Sequence, residues 1–243
     1  MVSTATAATV VSLHRYPVKS VLGERVDRLQ VSPRGCVGDR SWAVTTGDGM
    51  LGSGKAGHRF TALTGLQLVR ARLVEATVLL RFPDGTELPV DDPAAARALG
   101  AHVGRTVSLA PETDSTHFDD GPVSLLGTAS VAAVAGELGA EVSPARFRAN
   151  VVLRTAEAWA EDAWEGRRLR LGGVLLDVVA TSPRCVMVDA ATADAPALPG
   201  VLRAVGRLHG ADLGIIAEVV EPGLIEVGDE VHLVGDGRAG LSR

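Results

Sequence analysis

Cys185 stands in the run Ala180-Thr-Ser-Pro-Arg-Cys-Val-Met-Val-Asp189, directly after an arginine and at the end of a strand-like apolar stretch. Positive charge beside a cysteine favours the thiolate, which is both the nucleophilic and the metal-binding form. Its position after Ser182-Pro183-Arg184 argues for presentation at a strand end rather than burial in a core. Cys36, the only other cysteine, lies between Gly35 and Val37 and reads as a small hydrophobe in a turn. Two cysteines so far apart suit a reducing cytoplasm better than a disulfide framework. No Cys-x-x-Cys or His-x-x-x-His pair exists and the six histidines are scattered, so the chain has no zinc-type ligand set. A metal held by Cys185 would need most of its ligands from an organic cofactor.

Anion-binding side chains recur in several segments. Tyr16-Pro-Val-Lys-Ser20 puts Lys19 and Ser20 after a strand, and Gly38-Asp-Arg-Ser-Trp42 puts Arg40 at a strand entry. Gly52-Ser-Gly-Lys-Ala-Gly57 carries Lys55 in a glycine-rich loop, and Arg146-Phe-Arg-Ala-Asn150 offers two arginines, one of them Arg148, and the Asn150 amide. Each alone is ordinary solvated surface. Joined by Arg184, they suit a phosphate-bearing ligand, with arginine forks and backbone amides as donors. Lys19 and Lys55 are the only lysines among 24 basic residues. Lysine supplies a flexible point charge where arginine supplies a rigid fork. There is no Gly-x-x-x-x-Gly-Lys-Ser/Thr loop and no Gly-x-Ser-x-Gly elbow, which removes support for a Walker-type nucleotide site and for a serine hydrolase.

The elements that must position these groups are mostly short strands with turn punctuation. Val10–Arg15 ends at Pro17, Ser41–Thr45 is closed by Gly47-Asp48-Gly49, and Thr77–Phe82 turns through Pro83-Asp84-Gly85 into Thr86–Val90. A second hairpin joins Arg168–Leu171 to Val174–Ala180 through Gly172-Gly173. Three helices are expected: Asp91–Gly100 with Asp92 as N-cap and Pro93 at the first position, Gly127–Leu138 with Thr128 as N-cap, and Pro199–His209. Between them, the polar stretch Pro111–Pro122 clusters turn formers and acids without periodicity and reads as a domain boundary or an active-site loop. The fold class is therefore a β-dominated α+β protein of barrel type, whose two halves should pack closely.

The 243 residues suffice for one large domain or two modest ones. A formal charge of −5 argues against a general nucleic-acid or membrane-surface binder. No apolar run reaches the length of a membrane span, and the N-terminus lacks the basic start and apolar core of a secretory signal, so a cytoplasmic protein is expected.

The ordered set Tyr-Pro-Val-Lys-Ser, Gly-Asp-Arg-x-Trp, Arg-Phe-Arg-x-Asn, Glu-Asp-x-Trp (Glu161–Trp164) and Arg-Cys resembles MOSC-domain proteins from about Val10 to Val234. It looks like the two-part form seen in the mitochondrial amidoxime-reducing component and the C-terminal part of molybdenum-cofactor sulfurase. The resemblance implies an N-terminal β-barrel domain over residues 1–112 and a MOSC domain over 113–243. It implies a molybdenum cofactor, with Cys185 as the metal's protein ligand and catalytic residue; soft thiolate sulfur suits such a metal. Lys19, Ser20 and Arg40 would contact the phosphate side of the pterin, Arg148 and Asn150 the pterin itself, and Arg184 would flank the cysteine. Ser130 would sit at a helix start that favours an anion.

The chain departs from the amidoxime reducers in three places. It has Asp120-Gly121 before Pro122 where they have Thr-Ser, it differs in the Lys55 loop, and it is shorter after Cys185. The function implied is an oxidoreductase acting on N-hydroxylated or similar small substrates, served by a separate electron-donor protein. A sulfur carrier using a Cys185 persulfide and a non-catalytic cofactor carrier are the alternatives.

Overall fold

The computed structural model describes residues 6–237. From the N-terminus it runs through β1 (Thr6–Arg15), β2 (Glu24–Val26), β3 (Arg28–Ser32), β4 (Gly35–Cys36), β5 (Trp42–Thr46), β6 (Leu51–Ser53) and β7 (Phe60–Ala62). Next come β8 (Arg70–Val74), β9 (Thr77–Arg81), β10 (Glu87–Pro89), α1 (Pro93–Val103) and β11 (Val107–Pro111). The second half contributes β12 (Val123–Gly127), α2 (Thr128–Leu138), β13 (Val151–Arg154), β14 (Arg167–Leu171) and β15 (Val174–Pro183). It ends with α3 (Val201–His209), β16 (Asp212–Glu221), β17 (Gly223–Glu226) and β18 (Glu230–Asp236). The β-dominated α+β class expected from the sequence is the class observed.

Seven strands close a barrel in the order β13-β12-β16-β15-β14-β18-β1, and β1 pairs back onto β13. The first strand of the chain is therefore a stave of the barrel built mostly by the second half. Its side chains do not alternate strictly: Ala8, Val10 and Leu13 face inward, because the register shifts between Val10 and Ser12. A bulge there bends the strand, as barrel closure requires. The barrel core is aliphatic, with Leu125, Leu153, Leu169, Leu176 and Ile215 among its fully buried members.

A second core, around Val44, Leu66, Leu80 and Leu99, is wrapped by the sheets β11-β5-β6-β7 and β10-β9-β8 and by α1. Asp92 caps α1 as expected, its Oδ1 accepting from the Ala94 N–H at 2.8 Å. The α2 start differs from expectation. Thr128 is inside the helix and Gly127 holds the cap position without a side chain to cap it, while the Thr155 hydroxyl accepts from the Ala129 N–H at 3.4 Å. The buried Glu161 carboxylate does that work from another segment, accepting from the Gly127 N–H at 2.8 Å. α3 is capped similarly from a distance, by Asp189 accepting from the Leu202 N–H at 2.9 Å. Cys36 lies in β4 rather than a turn, fully buried.

Candidate functional site

A cleft of about 120 Å³ opens where the two halves meet, and one wall comes from each. The first wall begins as β1 ends at Tyr16-Pro17. Lys19 is fixed by its N–H donating to Trp42 O at 2.8 Å, and its side chain is almost wholly buried. Arg40 follows β4 and lies over the Tyr16 ring at 4.9 Å. It pairs with Asp39, a fully buried carboxylate that also accepts from the Tyr16 N–H at 2.7 Å.

The second wall carries Arg148, which lies over the Tyr16 ring at 4.4 Å. Tyr16 is thus gripped by two guanidinium groups, and burial pushes its phenol up to about 12. Ser20, Arg40 and Arg148 all have left-handed backbone, with φ of 65°, 48° and 55°. Non-glycine residues reach that region at a cost and gather at functional sites. Side-chain types carry no trace of this; it is a signal of the folded chain alone.

Arg184 directly follows β15 and is turned back into the protein. Its Nε donates to Leu213 O at 2.7 Å and its Nη1 to Phe147 O at 2.8 Å. The neighbouring Gly214 has φ of 84°, and a Cβ there would meet Leu125 O at 2.5 Å and the Arg184 guanidinium at 3.1 Å. Only glycine lets the arginine dock so closely. Cys185 comes next, partly exposed at the rim, with Val186 beside it 56% exposed. The turn that follows is fastened to the first half: Gln67 Nε2 donates to Met187 O at 3.1 Å and Ser53 Oγ lies 3.7 Å from the Met187 sulfur.

The lining carries six cations, Lys19, Arg40, Lys55, Arg146, Arg148 and Arg184, against two carboxylates, Asp119 and Asp120. Burial is the main cause that lowers Arg148 to about 10, with Arg40 next. Burial likewise lowers Arg184 to about 10, partly opposed by Asp120. Among the described residues the Arg148 guanidinium makes one hydrogen bond, to Val21 O at 2.6 Å. Desolvated cations in excess are stabilised by a bound anion. With one reachable thiol on the rim, the donor set fits a phosphate-bearing cofactor that brings its own soft metal. Among the described residues no group of three or more His, Cys, Asp or Glu side chains is placed to hold a metal ion.

Seven of the nine residues singled out from the sequence line this cleft: Lys19, Ser20, Arg40, Lys55, Arg148, Arg184 and Cys185. Asn150 and Ser130 lie elsewhere. Asn150 is buried and ties three segments together: its Oδ1 accepts from Ser124 Oγ at 2.9 Å and its Nδ2 donates to His14 O at 3.3 Å. Ser130 is fully buried in the first turn of α2, donating to Glu161 Oε1 at 2.9 Å and accepting from the Trp159 N–H at 2.8 Å. The Lys55 loop spells Gly-x-Gly-x-x-Gly, yet it joins β6 to β7. No helix opens after it, so it lacks the helix N-terminus of a dinucleotide site. Residues not singled out from sequence include Tyr16, Phe60 and Asp119; only the aperiodic stretch before Pro122 signalled the last.

A family model for the MOSC domain matches residues 107–232, and one for the MOSC N-terminal beta barrel domain matches residues 7–117. Over 51% of its length the chain is 28% identical to human mitochondrial amidoxime-reducing component 1, covering 40% of that protein. Over 94% of its length it is 27% identical to molybdenum cofactor sulfurase of Caenorhabditis briggsae, covering 36% of it. The chain thus spans well under half the length of these curated relatives. The crystal structure of the YuaD protein from Bacillus subtilis superposes with a TM-score of 0.52 at 17% identity, covering 92% of this chain and 93% of that one, a likeness of fold. With both family models matched in order along the chain, this protein belongs to the MOSC family and carries the MOSC domain together with its N-terminal barrel.

Proposed function

We propose that the cleft binds a molybdenum–pterin cofactor through its phosphate, that Cys185 is the metal's protein ligand, and that the protein reduces N-hydroxylated or similar small molecules. One observation carries this reading: a single partly exposed thiol stands on the rim of a cleft lined by six cations and two carboxylates. The relatives' names, an amidoxime-reducing component and a molybdenum cofactor sulfurase, point to the same chemistry. When bound, the cofactor supplies two-electron oxygen-atom transfer, and the electrons come from a separate donor protein.

The chain's own contribution is placement and charge. Arg40 and Arg148 present fixed positive charge, pre-oriented by Tyr16 and by strained backbone, so little ordering is left to do when an anion arrives. Arg184 keeps Cys185 at the rim by anchoring the strand end to Leu213 O and Phe147 O. The test is the molybdenum content, by mass spectrometry, of protein purified from a host that makes the cofactor. Wild type should carry molybdenum and Cys185→Ser should lose it. Metal-free wild type, or unchanged metal in the variant, would sink the proposal.

A second reading keeps Cys185 as a sulfur carrier that takes sulfane sulfur from a persulfide donor and passes it on. It is favoured by Cys185 being the only partly exposed cysteine, next to an exposed Val186. Mass spectrometry of metal-free protein after incubation with a persulfide donor decides it, through the presence or absence of one added sulfur on Cys185.

A further inference from the structure

Both lysines of the chain converge on one carboxylate. Lys19 Nζ donates to Asp119 Oδ1 at 2.5 Å, and Lys55 Nζ lies 3.5 Å from Asp119 Oδ2. Both ammonium groups also sit over the Phe60 ring, 5.1 and 5.0 Å from its centre. An arginine-rich chain has thus spent its two flexible point charges on a single spot at the cleft mouth.

The segment that brings Asp119 there is pinned at its base. Glu112 is paired with Arg34 and accepts from the His117 N–H at 3.2 Å. The His117 ring nitrogen Nδ1 lies 3.1 Å from Arg40 O, and the Arg34 guanidinium covers the Phe118 ring at 4.5 Å. Asp119 itself stays 36% exposed, while Lys19 keeps a second bond to His117 O at 2.7 Å. The carboxylate can therefore swing out to water without unmaking the loop, and Lys19 would not be left bare.

A carboxylate and a phosphate offer ammonium groups the same kind of oxygen acceptor, and the charge-assisted bonds they form are strong. The two anions cannot share the spot, because like charges about 4 Å apart repel by several kcal/mol at the dielectric of a protein surface. We propose that Asp119 is an internal anion occupying a two-lysine subsite of the cleft, and that a ligand's phosphate displaces it. Asp119 then sets how tightly this wall accepts phosphate and favours dianionic phosphate over singly charged carboxylates. The inference rests on the reading of the cleft as an anion site.

The experiment is calorimetric titration of cofactor-free protein with inorganic phosphate and with acetate, thermal melting confirming that each variant is folded. Asp119→Asn should bind phosphate about tenfold more tightly than wild type, since two charge-assisted partners are released to the ligand. It should also bind acetate measurably, and Asp119→Glu should stay close to wild type. Lys55→Gln alters a partly exposed side chain and should weaken phosphate binding severalfold, so it carries the test even if Asp119→Asn does not fold. Equal or weaker phosphate binding by folded Asp119→Asn, or unchanged binding by Lys55→Gln, overturns the proposal. Phosphate binding to neither wild type nor variants removes the anion-site reading with it. A protein that shows the phosphate effects but carries no molybdenum loses only the cofactor assignment.

Discussion

Reactivity at the two cysteines is set by where each sits. Cys36 is fully buried, and burial together with the Asp39 charge pushes its thiol far above the ordinary range. Cys185 is partly exposed at the cleft rim. In native protein, iodoacetamide should therefore modify Cys185 alone, and both cysteines should react in denaturant, as read by intact mass. Two labels on the folded protein would mean that β4 opens readily. Saturating phosphate should slow the single modification if the cleft is where anions gather.

Ser130 and Glu161 illustrate what an element demands of its surroundings. The α2 N-terminus begins on Gly127, which has no side chain to offer, so Glu161 supplies the capping carboxylate from 34 residues away. A Cβ on Gly127 would collide with that carboxylate at 2.4 Å, so the glycine makes room for its own cap. Glu161→Ala should cost about 2–4 kcal/mol, because it strands the Gly127 N–H and the Ser130 hydroxyl in a dry interior. Ser130→Ala should cost about 1–2 kcal/mol and leave phosphate affinity unchanged. Lost phosphate affinity at wild-type stability would instead make Ser130 a ligand contact.

His14 gives β1 a pH dependence. Burial, with Arg25 adding to it, lowers the ring to about 4. A base depressed in the folded state contributes stability that is present above its unfolded value near 6.5 and lost as pH falls toward 4. The loss amounts to about 3 kcal/mol at 1.36 kcal/mol per pKa unit. Urea unfolding at pH 7 and pH 4.5 should show that drop in wild type and a smaller one in His14→Gln. Equal drops would assign the acid sensitivity to other groups.

Across the whole molecule, the barrel depends on both ends of the sequence. β1 lies between β18 and β13 and closes the ring of seven strands. A fragment comprising residues 113–243 would lack that stave and expose two unpaired strand edges, which invites aggregation. It should show no cooperative thermal transition alone. A synthetic peptide spanning residues 1–23, added in trans, should restore one by filling the gap. A fragment that melts cooperatively without the peptide would show that the barrel closes by another pairing. Across the described residues no helix is long and apolar enough to cross a membrane.

Local chemistry was enough to read much of this from sequence. Turn residues and short β-rich runs carry the strand-dominated class. Asp92-Pro93 marks the start of α1, and Gly172-Gly173 marks the β14–β15 hairpin, because each of those devices acts over only a few residues. The cysteine after an arginine and the scattered basic segments were equally visible as types. Their convergence was not, since Lys19, Arg40, Arg148 and Arg184 meet only once β1 has entered the barrel of the other half. The positive φ of Ser20, Arg40 and Arg148, the capping of α2 by Glu161, and the closing of both lysines on Asp119 were likewise decided by tertiary structure. Each is an energy term between groups far apart in the chain, and a sequence holds the partners of such a term without recording that they touch.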